Sequence, residues 1–125
     1  MREYVMIAGS GMMGSGIGAM SALAGHKTIL VDVDAQRVQA GMEKAAACIR
    51  LRAENGLNTP DEAERVLTLL ETSTDIESAA QKARLVIEAI IENVEAKQAL
   101  FAKLDALLPL DVPICSNTSG LRITD

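Results

Sequence analysis

Three glycines in Gly9-Ser10-Gly11-Met12-Met13-Gly14 follow directly on the run Tyr4-Val5-Met6-Ile7-Ala8, with the spacing Gly-x-Gly-x-x-Gly. Placed between a strand and a helix, each glycine serves the binding of a pyrophosphate. Gly9 allows a tight turn out of the strand, Gly11 lets the backbone approach the phosphates, and Gly14 lets the helix pack close to the strand. The helix start then presents unpaired N–H groups and a partial positive charge, so no lysine is required. Asp32 closes the run Thr28-Ile29-Leu30-Val31, roughly 20 residues past the glycines, where a carboxylate accepts hydrogen bonds from ribose hydroxyls. It also repels a 2′-phosphate, which favours NAD over NADP; Arg37, turned back toward the ribose, would soften that preference. The cofactor candidates here are Gly9, Ser10, Gly11, Met12, Met13, Gly14 and Asp32.

Hydride chemistry on an alcohol also needs a base for the hydroxyl proton. The chain has a single histidine, His26, in the turn before the second strand and therefore on the wrong side; it reads as a surface residue, and the base is expected elsewhere. Glu92, Lys97 and Ser119 follow the ends of later strands, where the nicotinamide half of a dinucleotide lies. Glu92 and Lys97 are candidates for ribose contacts and Ser119 for a substrate oxygen. Each also has an ordinary alternative: Glu92 or Asn93 as a helix cap, Lys97 on a solvated face with Glu95 and Lys103, and Asn117 with Ser119 in a side-chain-bonded turn. Glu88, inside a strand, reads as structural.

Composition narrows the function classes. A net charge of −5 argues against a nucleic-acid or acidic-membrane surface. Cys48 and Cys115 have no metal-ligand or Cys-x-x-Cys spacing, so no metal site is expected, and both read as reduced core or near-core residues of a cytoplasmic protein. The stretch Tyr4 to Gly25 carries no charge and is 22 residues long, enough for a membrane span or, behind Arg2, a signal segment. Its six glycines and three serines leave no continuous apolar core. A glycine-rich turn without a ligand is the other bland alternative. Hydrophobic residues are 49% of the chain but aromatics only 2%, as suits a parallel sheet covered by helices and built from Ala, Val, Ile, Leu and Met.

The positioning elements follow in order. A helix carrying Ile17, Met20, Leu23 and Ala24 succeeds the glycine turn. Asp34 caps a long helix toward Asn55, with Gly56 as its stop and Gly41 as an interior weakness. Thr59-Pro60-Asp61-Glu62 is a capping box, so a second helix precedes the strand Leu70 to Ser73. Thr74-Asp75-Ile76-Glu77 starts a short helix. Leu85 to Ile91 is a buried strand, and Ala96, Leu100, Leu104, Leu107 and Leu108 mark one face of the next helix. Val112 to Ser116 is a fifth strand. The fold expected is α/β, a Rossmann-type doubly wound parallel sheet with a helical hairpin inserted between strands two and three. One domain spans 1–125, and the ending at Thr124-Asp125 reads as falling inside that domain.

These residues resemble the NAD-binding domain of the L-3-hydroxyacyl-CoA dehydrogenases. The likeness is carried by Gly9 to Ile17, Ala24-Gly25-His26, Leu30-Val31-Asp32, Val86 to Asn93, Lys97 with Leu100-Phe101, and Ser116-Asn117-Thr118-Ser119. It implies NAD as cofactor and exchange of a 3-hydroxyl for a ketone on an acyl-CoA, in fatty-acid or butanoate metabolism. It places Met13 beside the pyrophosphate, Ala89, Ile91, Glu92, Lys97 and Asn117 on the nicotinamide side, and Ser119 between cofactor and substrate hydroxyl. It also implies that the catalytic histidine and its glutamate partner, and a helical C-terminal domain that forms a homodimer, lie beyond Asp125. Gly120 stands where many relatives have serine, and Arg50 and Arg52 align only loosely with CoA-binding basic residues. Relatives acting on carnitine or gulonate share much of the pattern, and a non-catalytic dinucleotide-binding module is the alternative of another class.

Overall fold

The computed structural model describes residues 3–89, 94–109 and 111–116. Ten elements alternate along them: β1 (Tyr4–Ala8), α1 (Met12–Leu23), β2 (Thr28–Val31), α2 (Ala35–Glu54), α3 (Pro60–Leu67), β3 (Leu70–Ser73), α4 (Ile76–Lys82), β4 (Ala83–Glu88), α5 (Val94–Leu107) and β5 (Ile114–Ser116). All pairings are parallel, in the order β3-β2-β1-β4-β5. The expected doubly wound sheet is present, and α2 with α3 forms the expected hairpin between the second and third strands.

The sequence shows why β1 and β2 are central. Val5 to Ala8 and Thr28 to Val31 are buried throughout, as continuous apolar runs covered on both faces must be. Alternate side chains feed two cores. Val5, Ile7 and Leu30 pack with Ala19, Ala22, Val38, Ala45, Ile49 and Ala63 from α1, α2 and α3. Met6, Ala8, Ile29 and Val31 pack on the other face with Ala79, Ala80, Leu104 and Leu108, where α5 and the residue after it supply the leucines expected of that apolar stripe.

Helix boundaries follow local chemistry. Asp34 caps α2 by accepting from the N–H groups of Gln36 at 2.7 Å and Arg37 at 3.4 Å, and Gly56, with φ of 75°, turns the chain after Asn55. Thr59 and Glu62 form the reciprocal capping box, each side chain bonding the other's N–H. The Thr59 N–H holds the Glu62 carboxyl below its ordinary value. Arg52 Nε donates to Asn58 Oδ1 at 3.1 Å and fastens the hairpin turn.

Some boundaries differ from expectation. Within the stretch expected to start α4, the cap is Asp75, whose carboxylate accepts from the N–H groups of Glu77 and Ser78. β4 starts two residues sooner, at Ala83, because Tyr4 of β1 extends the ladder to it across an irregularity in register. It ends at Glu88, while Ile90 and Ile91 lie outside the described residues. β5 begins at Ile114, after Pro113. Cys48 is half-buried, but Cys115 is exposed; it sits on the edge strand, on the face opposite Ile114, which packs into the core. Among the described residues no helix is long and apolar enough to cross a membrane, and the uncharged stretch from Tyr4 divides into a strand, a turn and a helix.

Candidate functional site

The chain leaves β1 toward β2 through α1 and returns from β3 to β4 on the other side of β1. The carboxyl edge between β1 and β4 is therefore the topological switch point, where open α/β sheets bind ligands. Ala8 is in register with Val31 on one side and with Glu88 on the other, and Glu88 with Ser116. The glycine motif, Asp32 and Ala89 thus leave the sheet along one edge.

The turn is tied into the strands. Gly9 has φ of 112°, open to glycine and strained for other residues, and its N–H donates to Val31 O at 2.8 Å. Gly14 permits the contact between α1 and β1: a Cβ there would stand 2.0 Å from Gly9 O and 3.6 Å from Ala89 Cβ. Ala89 is itself drawn in by its N–H, 2.8 Å from Ala8 O. Above Gly11 the space is open, with nothing within 4 Å of a Cβ added there.

The start of α1 differs from those of α2, α3 and α4. Gly11 is its N-cap and supplies no side-chain hydrogen bond, and no acidic residue lies in the first turn. The first N–H groups of a 12-residue helix therefore keep their capacity to donate, with the helix dipole behind them. Open space over Gly11 and an uncapped helix start fit a pyrophosphate. Met13, in this first turn, is 53% exposed, as an apolar residue flanking that space would be.

Asp32 faces the same turn. Its Oδ2 accepts from Ser10 N at 3.2 Å and Ser10 Oγ at 2.9 Å, and its Oδ1 from Val33 N at 2.8 Å. The aspartate is half-buried and retains acceptor capacity for a sugar hydroxyl, since a carboxylate has about four lone-pair sites.

Sequence reasoning missed the support behind this loop. Ser15 Oγ donates to Ser10 O at 3.0 Å or Gly11 O at 2.7 Å, bracing the turn from α1. From the other side, a Cβ on Gly41 of α2 would lie 2.5 Å from Ser10 O and 2.7 Å from Ser10 Cβ. The inserted hairpin therefore clamps the glycine loop. The available signal was Gly41 itself, a helix-interior glycine that helix formation does not explain.

Other candidates fall elsewhere. His26 is exposed in the turn before β2, at the opposite edge of the sheet, with its Nδ1 against the Arg84 guanidinium. Glu88 is fully buried within β4, in keeping with a structural role. Lys97 lies in the first turn of α5, and Met12 begins α1. Ile91, Glu92, Asn117 and Ser119 lie outside the described residues. The described residues contain no group of three or more His, Cys, Asp or Glu able to hold a metal. A shallow groove along α2, lined by Met42, Ala46, Arg50 and Leu51 among others, shares no residue with this site.

Comparisons with known proteins agree with the geometry. Residues 4–125 match the family described as 3-hydroxyacyl-CoA dehydrogenase, NAD binding domain. The chain is 38% identical over 98% of its length to the "Probable 3-hydroxybutyryl-CoA dehydrogenase" of Bacillus subtilis, of which it covers 42%. Among solved structures, FadB2 of M. tuberculosis superposes with a TM-score of 0.88 at 32% identity, covering 94% of this chain and 41% of that one. The 3-hydroxybutyryl-CoA dehydrogenase of Escherichia coli K12 gives 0.86 at 36% identity, covering 95% and 25%. The chain thus spans less than half the length of these relatives. With the fingerprint, the acid and the fold in agreement, this chain belongs to the NAD-binding domain family of the 3-hydroxyacyl-CoA dehydrogenases.

Proposed function

We propose that residues 1–125 are the cofactor-holding domain of a cytoplasmic enzyme that interconverts an L-3-hydroxyacyl-CoA and the 3-oxoacyl-CoA. The observation that carries this reading is the Asp32 carboxylate held beside the uncapped, glycine-lined start of α1 at the switch point. When bound, NAD accepts or returns a hydride at its nicotinamide. The chain's own part is placement. The first N–H groups of α1 take the pyrophosphate, Asp32 takes the adenosine ribose, and Met13 flanks the phosphates. On the nicotinamide side, Ala89 and, on this reading, Ile91, Glu92, Lys97 and Asn117 orient the second ribose and ring, with Ser119 touching the substrate hydroxyl. His26 stands at the opposite edge, so the base that removes the hydroxyl proton is not among these residues; a helical C-terminal domain supplies it and the homodimer contact.

Calorimetric titration with NADH, NADPH and ADP-ribose tests the cofactor half of the proposal. NADH is expected to bind more tightly than NADPH. Asp32→Ala is expected to weaken NADH by about 10- to 100-fold, the value of hydrogen bonds to a charged acceptor, about 1.5–3 kcal/mol. Equal binding of NADH and NADPH, or no effect of Asp32→Ala, would overturn it. Formation of NADH from 3-hydroxybutyryl-CoA, compared with carnitine and gulonate, tests the substrate in the full-length gene product.

A further inference from the structure

Ser10 occupies the one position between Gly9 and Gly11 on which the phosphate-binding motif places no demand. The residue is nonetheless buried, 3% exposed, and its side chain is engaged. The backbone N–H and the hydroxyl both reach Oδ2 of Asp32, at 3.2 and 2.9 Å, while Val33 N–H holds Oδ1 at 2.8 Å. The same hydroxyl lies 3.0 Å from the carbonyl oxygen of Arg37. A hydroxyl has one proton to donate, so it serves one of these acceptors at a time.

A carboxylate has about four acceptor sites, two on each oxygen. With the Ser10 hydroxyl on Asp32, both sites of Oδ2 and one of Oδ1 are filled from within the protein. With that hydroxyl turned to Arg37 O, each carboxylate oxygen has one open site. A vicinal diol presents two donors side by side and is matched by the second arrangement. The change requires only rotation about the Cβ–Oγ bond of Ser10, and the backbone around it is fixed by Ser15 and Gly41.

We infer that Ser10 is a positioning residue for ribose recognition: its hydroxyl holds the Asp32 carboxylate in place in the free protein and moves to the Arg37 carbonyl when the diol binds. The inference rests on the reading of Asp32 as the ribose acceptor. Ser10 does not touch the diol; it keeps Asp32 from swinging away and then vacates Oδ2 without losing a partner. Rejection of a 2′-phosphate has the same origin, because a carboxylate held at that position cannot retreat from the added charge.

A double-mutant cycle tests this. Kd values for NADH and NADPH are measured by calorimetry on the wild type, Ser10→Ala, Asp32→Ala and the double variant, with thermal melting as a folding check. Ser10→Ala is expected to raise the NADH Kd about three- to tenfold, to leave NADPH unchanged or bound more tightly as the released carboxylate retreats from the 2′-phosphate, and so to reduce selectivity by at least the same factor. In the Asp32→Ala background it is expected to change the NADH Kd by less than about twofold. Ser10→Cys, which keeps a larger group with a weaker donor at the same position, is expected to behave as Ser10→Ala. An equal effect of Ser10→Ala in both backgrounds, an unaltered NADH to NADPH ratio, or wild-type affinity in Ser10→Cys would each overturn the inference while leaving the NAD site standing. Failure of the wild type to bind NADH would overturn the parent reading and this one together.

Discussion

Replacement of Gly41 by alanine sets two opposed effects against each other, and the structure decides which prevails. In the interior of a helix, alanine is favoured over glycine by about 0.8–1.0 kcal/mol. Here, however, the new Cβ would lie 2.5 Å from Ser10 O, 2.7 Å from Ser10 Cβ and 3.3 Å from Ser10 C, where ordinary contact begins near 3.4 Å. α2 and the loop must separate by nearly an ångström. The loop has little freedom to yield, since Ser15 bonds Ser10 O and Asp32 bonds Ser10 N and Oγ. Overpacking costs about 1–3 kcal/mol, and contacts this close on a braced loop put this case in the upper part, about 2–3 kcal/mol, so the net expectation is a loss of about 1–2 kcal/mol. For a domain of this size that is a fall in Tm of about 4–8 °C. NADH affinity should fall with it, because Ser10 carries Asp32. Gly16→Ala is the control: it sits in α1 with nothing within 4 Å of its Cβ, so the same substitution should raise stability by up to about 1 kcal/mol. Thermal melting followed by circular dichroism and NADH titration read both. A Gly41→Ala protein that melts at or above the wild type and binds NADH equally well would refute the clamp between α2 and the glycine loop.

Gly14→Ala should be more damaging than Gly41→Ala, because its Cβ would meet the backbone of Gly9 at 2.0 and 2.8 Å; a loss of at least about 3 kcal/mol, at the top of the usual overpacking range, is expected in urea denaturation. Thr59→Ala removes the hydroxyl that accepts from Glu62 N at 3.1 Å and should cost about 1 kcal/mol, read as a lower urea midpoint. The Glu62 carboxyl is held below its usual 4.5 by the Thr59 N–H, so its contribution is full above pH 4.5 and is lost as pH falls through the lowered value. Wild-type stability should therefore decline more steeply in that acid range than that of Glu62→Gln, as measured by denaturation at a series of pH values.

What the sequence determined by itself was everything set by local chemistry. Buried strands appear as continuous apolar runs at Val5 to Ala8 and Thr28 to Val31, caps as Asp34 and the Thr59 to Glu62 box, and helix ends as Gly56, because these signals act over a few residues. The order strand, glycine turn, helix, strand, acid was legible for the same reason, and with it the residues Gly9, Gly11, Gly14 and Asp32 on which the proposed dinucleotide site rests. The ends of β4 and β5 moved with their ladder partners, and the edge position of β5 left Cys115 exposed rather than in the core. Tertiary structure decided what depends on residues far apart in the chain. It brought Ser10 to Asp32 and to the Arg37 carbonyl, and it turned Gly41 from a weak point of α2 into the surface that admits the glycine loop. Propensity registers only the cost of a glycine within its own helix; the backbone that approaches it comes from another element, and that approach exists only once the sheet has assembled.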